Sequence, residues 1–155
     1  MGALVYHKGE RALIEATLSG QSNFGTPPII PEIGGNWGVG LGTRVGGVGV
    51  NKTDTIAQIV ELGTADAQGY GRAALARSHV GWPAASLPGS NYLSTAPQQS
   101  FTFTGAPSPN EATLWFVAGS AVVNDDNIVF GADLDQTRTF GMADVERITA
   151  AYSQG

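Results

Sequence analysis

The densest apolar run of the chain is Ala112 to Val123, and a shorter one, Ile128-Val129-Phe130, follows it. Asn124, Asp125, Asp126 and Asn127 separate the two. Asn and Asp bond the local backbone and tolerate left-handed φ, so this pattern predicts two strands around a turn, and we take the pair as the centre of the core. Asn36 to Thr43 alternates Trp37, Val39 and Leu41 with Gly38, Gly40 and Gly42. That predicts a strand with one apolar face and one bare face, and a bare face marks close approach of another backbone.

The same reading continues along the chain. Lys8 to Leu18 predicts a helix, with Leu13, Ile14 and Leu18 on one side and Gly20 at the C-terminal cap. A loop follows at about 21–35, since Pro27, Pro28 and Pro31 forbid a central strand there. Asp54 to Leu62 reads as a helical turn entering a strand, or as one bent strand. Arg72 to Ser78 reads as a strand, and Ala84 to Gln99 as a second long loop carrying Pro88, Gly89, Asn91 and Pro97. Ser100 to Thr104 alternates Phe101 and Phe103 inward against Thr102 and Thr104. Ala112 to Ala118, Ala121 to Val123 and Ile128 to Leu134 read as strands, and Thr137 to Phe140 with Arg147 to Tyr152 as a closing pair. The expectation is an all-β fold, a β-sandwich or barrel of about eight or nine short antiparallel strands with one N-terminal helix.

Composition narrows the class. At 155 residues the chain predicts a single β-rich domain spanning 1–155, long enough to bury a core. Charged residues are 14%, against about a quarter in an average domain, and the apolar share is 42%, which together exclude a disordered chain. The net charge is −5 and the eight Lys and Arg are scattered singly, so no nucleic-acid partner is expected. Without cysteine there is no disulfide, thiolate nucleophile or Cys-ligated metal. No run approaches the roughly 18 apolar residues of a membrane span, and the N-terminus lacks the apolar core of a signal peptide.

Candidate chemistry is thin. The glycines from Gly38 to Gly49 invite a nucleotide reading, but after Gly40 and Gly42 the third fingerprint position is Val45, and Lys52 follows Asn51 rather than Gly. Asp125, Asp126, Asp133 and Asp135 could offer hard oxygen ligands to calcium, yet they form no D-x-D-x-D-G loop. His7 and His79 have no ligand neighbour at helical or hairpin spacing, and no serine sits in G-x-S-x-G. No catalytic residue, cofactor or metal is therefore expected. The aromatics at alternating strand positions or strand ends, Trp37, Trp82, Trp115, Phe101, Phe103, Phe116 and Phe130, read as core before ligand platforms, whereas Tyr70 and Tyr92 fall in loops where they could meet a partner.

Several blocks in order carry a resemblance. KGERALIEATL leads into WGVGLGTRVGGVGV; then come IVELGTADAQGYGRAAL with GW, SFTFTGAPS and ATLWFVAGSAV. From about Lys8 to Tyr152 this order resembles small structural proteins of tailed bacteriophages. The end departs, since FGMADVERITAAY stands where relatives carry a G-D-x-L/I-x-V strand. The resemblance implies a non-enzymatic virion component. For a small, acidic, loop-rich chain the expectation is a capsid decoration (cement) protein on the capsid exterior. Its partner would be the major capsid protein, and it would act as a homo-oligomer, a trimer favoured, because symmetry multiplies weak contacts. Partner contacts are expected at Met1, Leu4 and Tyr6, at Pro27, Pro28 and Pro31, at Tyr70, Trp82 and Tyr92, and along the loop at about 84–99. The alternatives are a phage neck or tail component, or a carbohydrate-binding host-recognition module that stacks sugars on Tyr70, Trp82 and Tyr92.

Overall fold

The computed structural model describes residues 35–47, 50, 54, 56–78, 80–87, 93–118 and 128–153. The expected helix at 8–18, the loop at 21–35 save its last residue, the strand at 121–123 and the turn at 124–127 lie outside these residues. The described chain is all-β. Its nine strands are β1 (Asn36–Arg44), β2 (Ile59–Glu61), β3 (Ala73–Ala76), β4 (Leu93–Thr95), β5 (Gln99–Thr102), β6 (Glu111–Ala118), β7 (Ile128–Thr139), β8 (Val145–Ile148) and β9 (Ala151–Ser153). They form one five-stranded sheet and two two-stranded ribbons.

The five-stranded sheet runs β2-β1-β6-β7, and β3 also pairs with β1. The glycines of β1 explain its central place. β1 is antiparallel to β6, with Gly40 opposite Phe116 and Leu41 opposite Trp115. A Cβ at Gly40 would overlap the Phe116 ring, and one at Gly42 would lie 2.5 Å from the Val60 carbonyl oxygen. The bare face of β1 is thus filled by its neighbours, and β1 is buried continuously from Trp37 to Gly42. Leu114, Phe116 and Ala118 of β6 form a buried cluster against which Ile56, Ile59 and Ile128 pack. A single 3-10 turn, Ile56–Gln58, leads into β2.

The pairing of β6 with β7 bears out the expected central pair. The expected strand at Thr137 to Phe140 is not separate. It is the far end of β7, joined to the first part through a bulge. Ala112 faces Arg138 and Leu114 faces Asp133, so 134–137 stand out opposite one residue of β6. Arg138 closes that bulge with an ion pair to Asp135 at 2.9 Å. A bulge here ends regular pairing and blunts the edge of the sheet.

The closing strand pair is likewise corrected. Thr137 to Phe140 and Arg147 to Tyr152 do not face each other. β8 pairs with β5, and β9 pairs with β4. The stretch 147–152 divides because Ala150 is turned to accept a bond from the Ala96 amide, at 2.8 Å. The loop expected at 84–99 also contains β4 and the start of β5. Leu93 and Ser86 exchange backbone bonds in both directions, and β9 supplies the remaining partner.

The chain forms two compact units. One comprises Asn36–Leu75 and Gln98–Ile148, and holds β1, β2, most of β3, and β5 to β8. Its second apolar centre is aromatic: Phe103 stacks on Phe140 at 4.5 Å between ring centroids, and Tyr70 stacks on Phe101 and Phe103 at 6.0 and 6.3 Å. Each such ring contributes about 1.5–3 kcal/mol by burial. The other unit includes Ala76–Pro97 and the residues from Thr149 onward, and centres on the β4–β9 ribbon and on Trp82.

Candidate functional site

The largest concentration of buried polar groups among the described residues lies where β2 leaves the sheet and β3 enters it. Glu61 ends β2, the chain loops outward through 62–71, and Arg72 brings it back. The loop is built from turn chemistry. Gly63 and Gly69 have φ of 64° and 88°, and a Cβ at Gly69 would sit 2.9 Å from the Thr102 carbonyl oxygen. Leu62 and Tyr70 are buried, while Thr64 to Ala67 are exposed.

The two ends of the loop are joined by charge. Arg72 donates from Nε to Glu61 Oε1 at 2.9 Å and from Nη2 to Oε2 at 2.8 Å, a two-point pairing. Tyr70 donates its hydroxyl proton to Glu61 Oε1 at 2.9 Å. The same hydroxyl accepts from the Leu41 amide of β1, also at 2.9 Å. The Arg72 guanidinium carbon stands 5.3 Å from the centroid of the Phe116 ring. Side-chain exposure is 0% for Arg72 and 4% for Glu61, so the pair is held in low dielectric and depends on these bonds. Burial pushes the Tyr70 phenol above its ordinary value of 10.0, and the Glu61 carboxylate adds in the same direction.

This arrangement replaces a ladder bond. Leu62 donates to the Leu41 carbonyl at 3.1 Å, which carries the β1–β2 register one residue beyond Glu61. The returning bond from the Leu41 amide goes to Tyr70 instead of to β2. Every polar atom named here is answered within the protein, and Glu61 turns no open face to solvent. The network holds three chain segments together.

The other residues singled out from the sequence fall apart from it. Tyr70 and Trp82, expected as contact residues, are not on the surface of the described chain. They are 8% and 1% exposed, and Tyr70 is the centre of the network rather than a loop ornament. A loop tyrosine faces inward here because its neighbour Gly69 lets the backbone come close to the end of β5. Met1, Leu4, Tyr6, Pro27, Pro28, Pro31, His7, His79, Tyr92, Asp125 and Asp126 lie outside the described residues. Asp133 and Asp135 are exposed, and the bulge sets them at different points of the ladder. Among the described residues no group of three His, Asp or Glu could hold a metal ion. No helix among them is long and apolar enough to cross a membrane.

Glu61 and Arg72 were not singled out by pattern. One signal was available: Glu61 is a lone carboxylate inside the apolar stretch Ile59-Val60-Glu61-Leu62, and such a carboxylate needs a cation. Comparison with protein-family models, curated proteins and solved structures finds no match for this chain.

Proposed function

We propose that this chain is a non-enzymatic structural protein of a tailed-phage virion, a decoration protein that binds the outside of the major capsid shell as a homo-oligomer. One observation supports the reading above others. Blocks that carry the resemblance interlock: GLGT supplies the Leu41 amide, IVELGT supplies Glu61, GYGR supplies Tyr70 and Arg72, SFTFT supplies Phe101 and Phe103, and ATLWF supplies Phe116. These groups touch one another through the bonds and ring contacts described above. A motif set that forms one internal framework is what a shared scaffold requires, whereas scattered surface residues would carry no such coherence. The acidic charge of −5 supports a protein surface, not nucleic acid, as the partner.

Quantitative mass spectrometry of purified particles of the virus encoding the chain tests the proposal. A copy number in the hundreds is expected of a decoration protein. A dozen copies or fewer would move the chain to the neck or tail, and absence from particles would overturn the reading. Deleting residues 1–6, or replacing Pro27, Pro28 and Pro31, is expected to weaken attachment while the circular dichroism of the chain stays unchanged.

A further inference from the structure

The loop at 62–71 has the form of an Ω-loop: its ends are adjacent, its middle is exposed, and it is closed at the neck by its own flanking side chains. We infer that Glu61, Tyr70 and Arg72 act as a latch that keeps this loop shut against β1, and that the loop opens as one piece without unfolding of the β6–β7 core.

Three observations carry the inference. First, the neck is a single ion pair, Glu61 with Arg72, at 2.8–2.9 Å, so both ends of the loop are released together or not at all. Second, only Leu62 and Tyr70 bury apolar surface, Tyr70 against Phe101 and Phe103, whereas Thr64 to Ala67, Gly69 and Gly71 are exposed, so two side chains next to the latch carry the loop's apolar hold. Its remaining backbone anchors are Leu62 to the Leu41 carbonyl at 3.1 Å, Gly63 to Pro109 at 3.0 Å, Ala65 to Ser108 at 2.9 Å, Ser108 back to Asp66 at 2.8 Å, and Thr104 to Gln68 at 2.8 Å. Third, the Tyr70 hydroxyl occupies the Leu41 amide where a strand would otherwise bond. β6 takes the other edge of β1 over Gly38 to Gly42. Opening the latch therefore uncovers a donor and an acceptor on the central strand, the Leu41 amide and carbonyl, next to the end of β2. That is a short stretch of sheet edge able to pair with an added strand. The latch guards this edge while it is closed.

Native-state hydrogen exchange on the full chain at rising, sub-denaturing urea tests the inference. The amides of Leu41, Gly63, Ala65 and Tyr70 are expected to exchange through one shared opening, distinct from and below that of the β6–β7 amides. Tyr70→Phe is expected to speed Gly63 and Ala65 by about tenfold, the loss of one hydroxyl's bonds, although neither amide bonds to Tyr70. The β6–β7 amides would keep their rates. Exchange of the loop amides only together with β6–β7 in the unmodified chain would overturn the latch, and so would an unchanged Gly63 and Ala65 in Tyr70→Phe. Because the first measurement needs no substitution, a variant that fails to fold still leaves the inference decided.

Discussion

The ring of Phe116 occupies the space above Gly40, its cross-strand partner, where a side chain at position 40 would stand. Phe116 is 1% exposed and carries Arg72 over its face, so it has no room to move aside. Gly40→Ala is therefore expected to destabilise the chain by about 1–3 kcal/mol, an overpacking cost. Phe116→Ala is expected to cost about 3–5 kcal/mol through the cavity it leaves. The double variant Gly40→Ala/Phe116→Leu should be more stable than the sum of its single changes implies, since the two positions share one volume. Urea denaturation followed by tryptophan fluorescence measures all of these.

Arg72 and Glu61 make a second coupled pair. Arg72→Met leaves the Glu61 carboxylate buried with its cation gone, and the expected loss is about 3–5 kcal/mol. Glu61→Leu/Arg72→Met removes both charges and should be less destabilised than Arg72→Met alone. A double-mutant cycle from denaturation midpoints checks this. Simple additivity of the two single changes would show that the pair is not coupled.

Tyr70 makes stability sensitive to alkali. Its phenol titrates above the ordinary value of 10.0 in the folded chain because burial and Glu61 disfavour the phenolate. The folded state therefore keeps a proton that the unfolded state loses above about pH 10. The sign follows: the contribution is whole below the unfolded pKa and declines as pH rises past it, by at most about 1.4 kcal/mol per pH unit. The urea midpoint should fall more steeply between pH 9.5 and 11 for the unmodified chain than for Tyr70→Phe. Equal slopes would place the phenol at its ordinary value.

Ala143 offers a stabilising change. It lies in the turn between β7 and β8 with φ of 66°, a conformation in which a Cβ is crowded by its own carbonyl. Its amide bonds to the Phe103 carbonyl at 2.9 Å, and Asp144 accepts from the Gly141 amide at 2.7 Å, so the turn cannot relax to another shape. Ala143→Gly is expected to raise stability by about 1 kcal/mol, less what glycine gives up in the unfolded chain. Thermal unfolding with matched buffers is sufficient to detect it.

The all-β character, β1 with its bare face, the Phe101 and Phe103 alternation and the β6–β7 pair were all legible along the chain. Each is written in a period of two and in the turn residues between runs, and both act over a few neighbouring positions. The misread parts share a different origin. β4 and β9 are three-residue strands that find each other across more than fifty positions. Neither carries enough alternation to announce itself. Tyr70 looked like a contact residue because loop composition says where the chain turns, not which way a ring points.

Local patterning thus accounts for the kinds of element and for the residues that must be inside. The pairing of the C-terminal strands with β5 and β4, the bulge at 134–137 and the meeting of Leu41, Glu61, Tyr70 and Arg72 belong to the assembled fold. A buried carboxylate in a strand states a need for a cation, but ten residues of intervening loop leave open which cation answers it. Only closing that loop against β1 brings Arg72 within 3 Å of Glu61 and gives the Tyr70 hydroxyl an amide to hold.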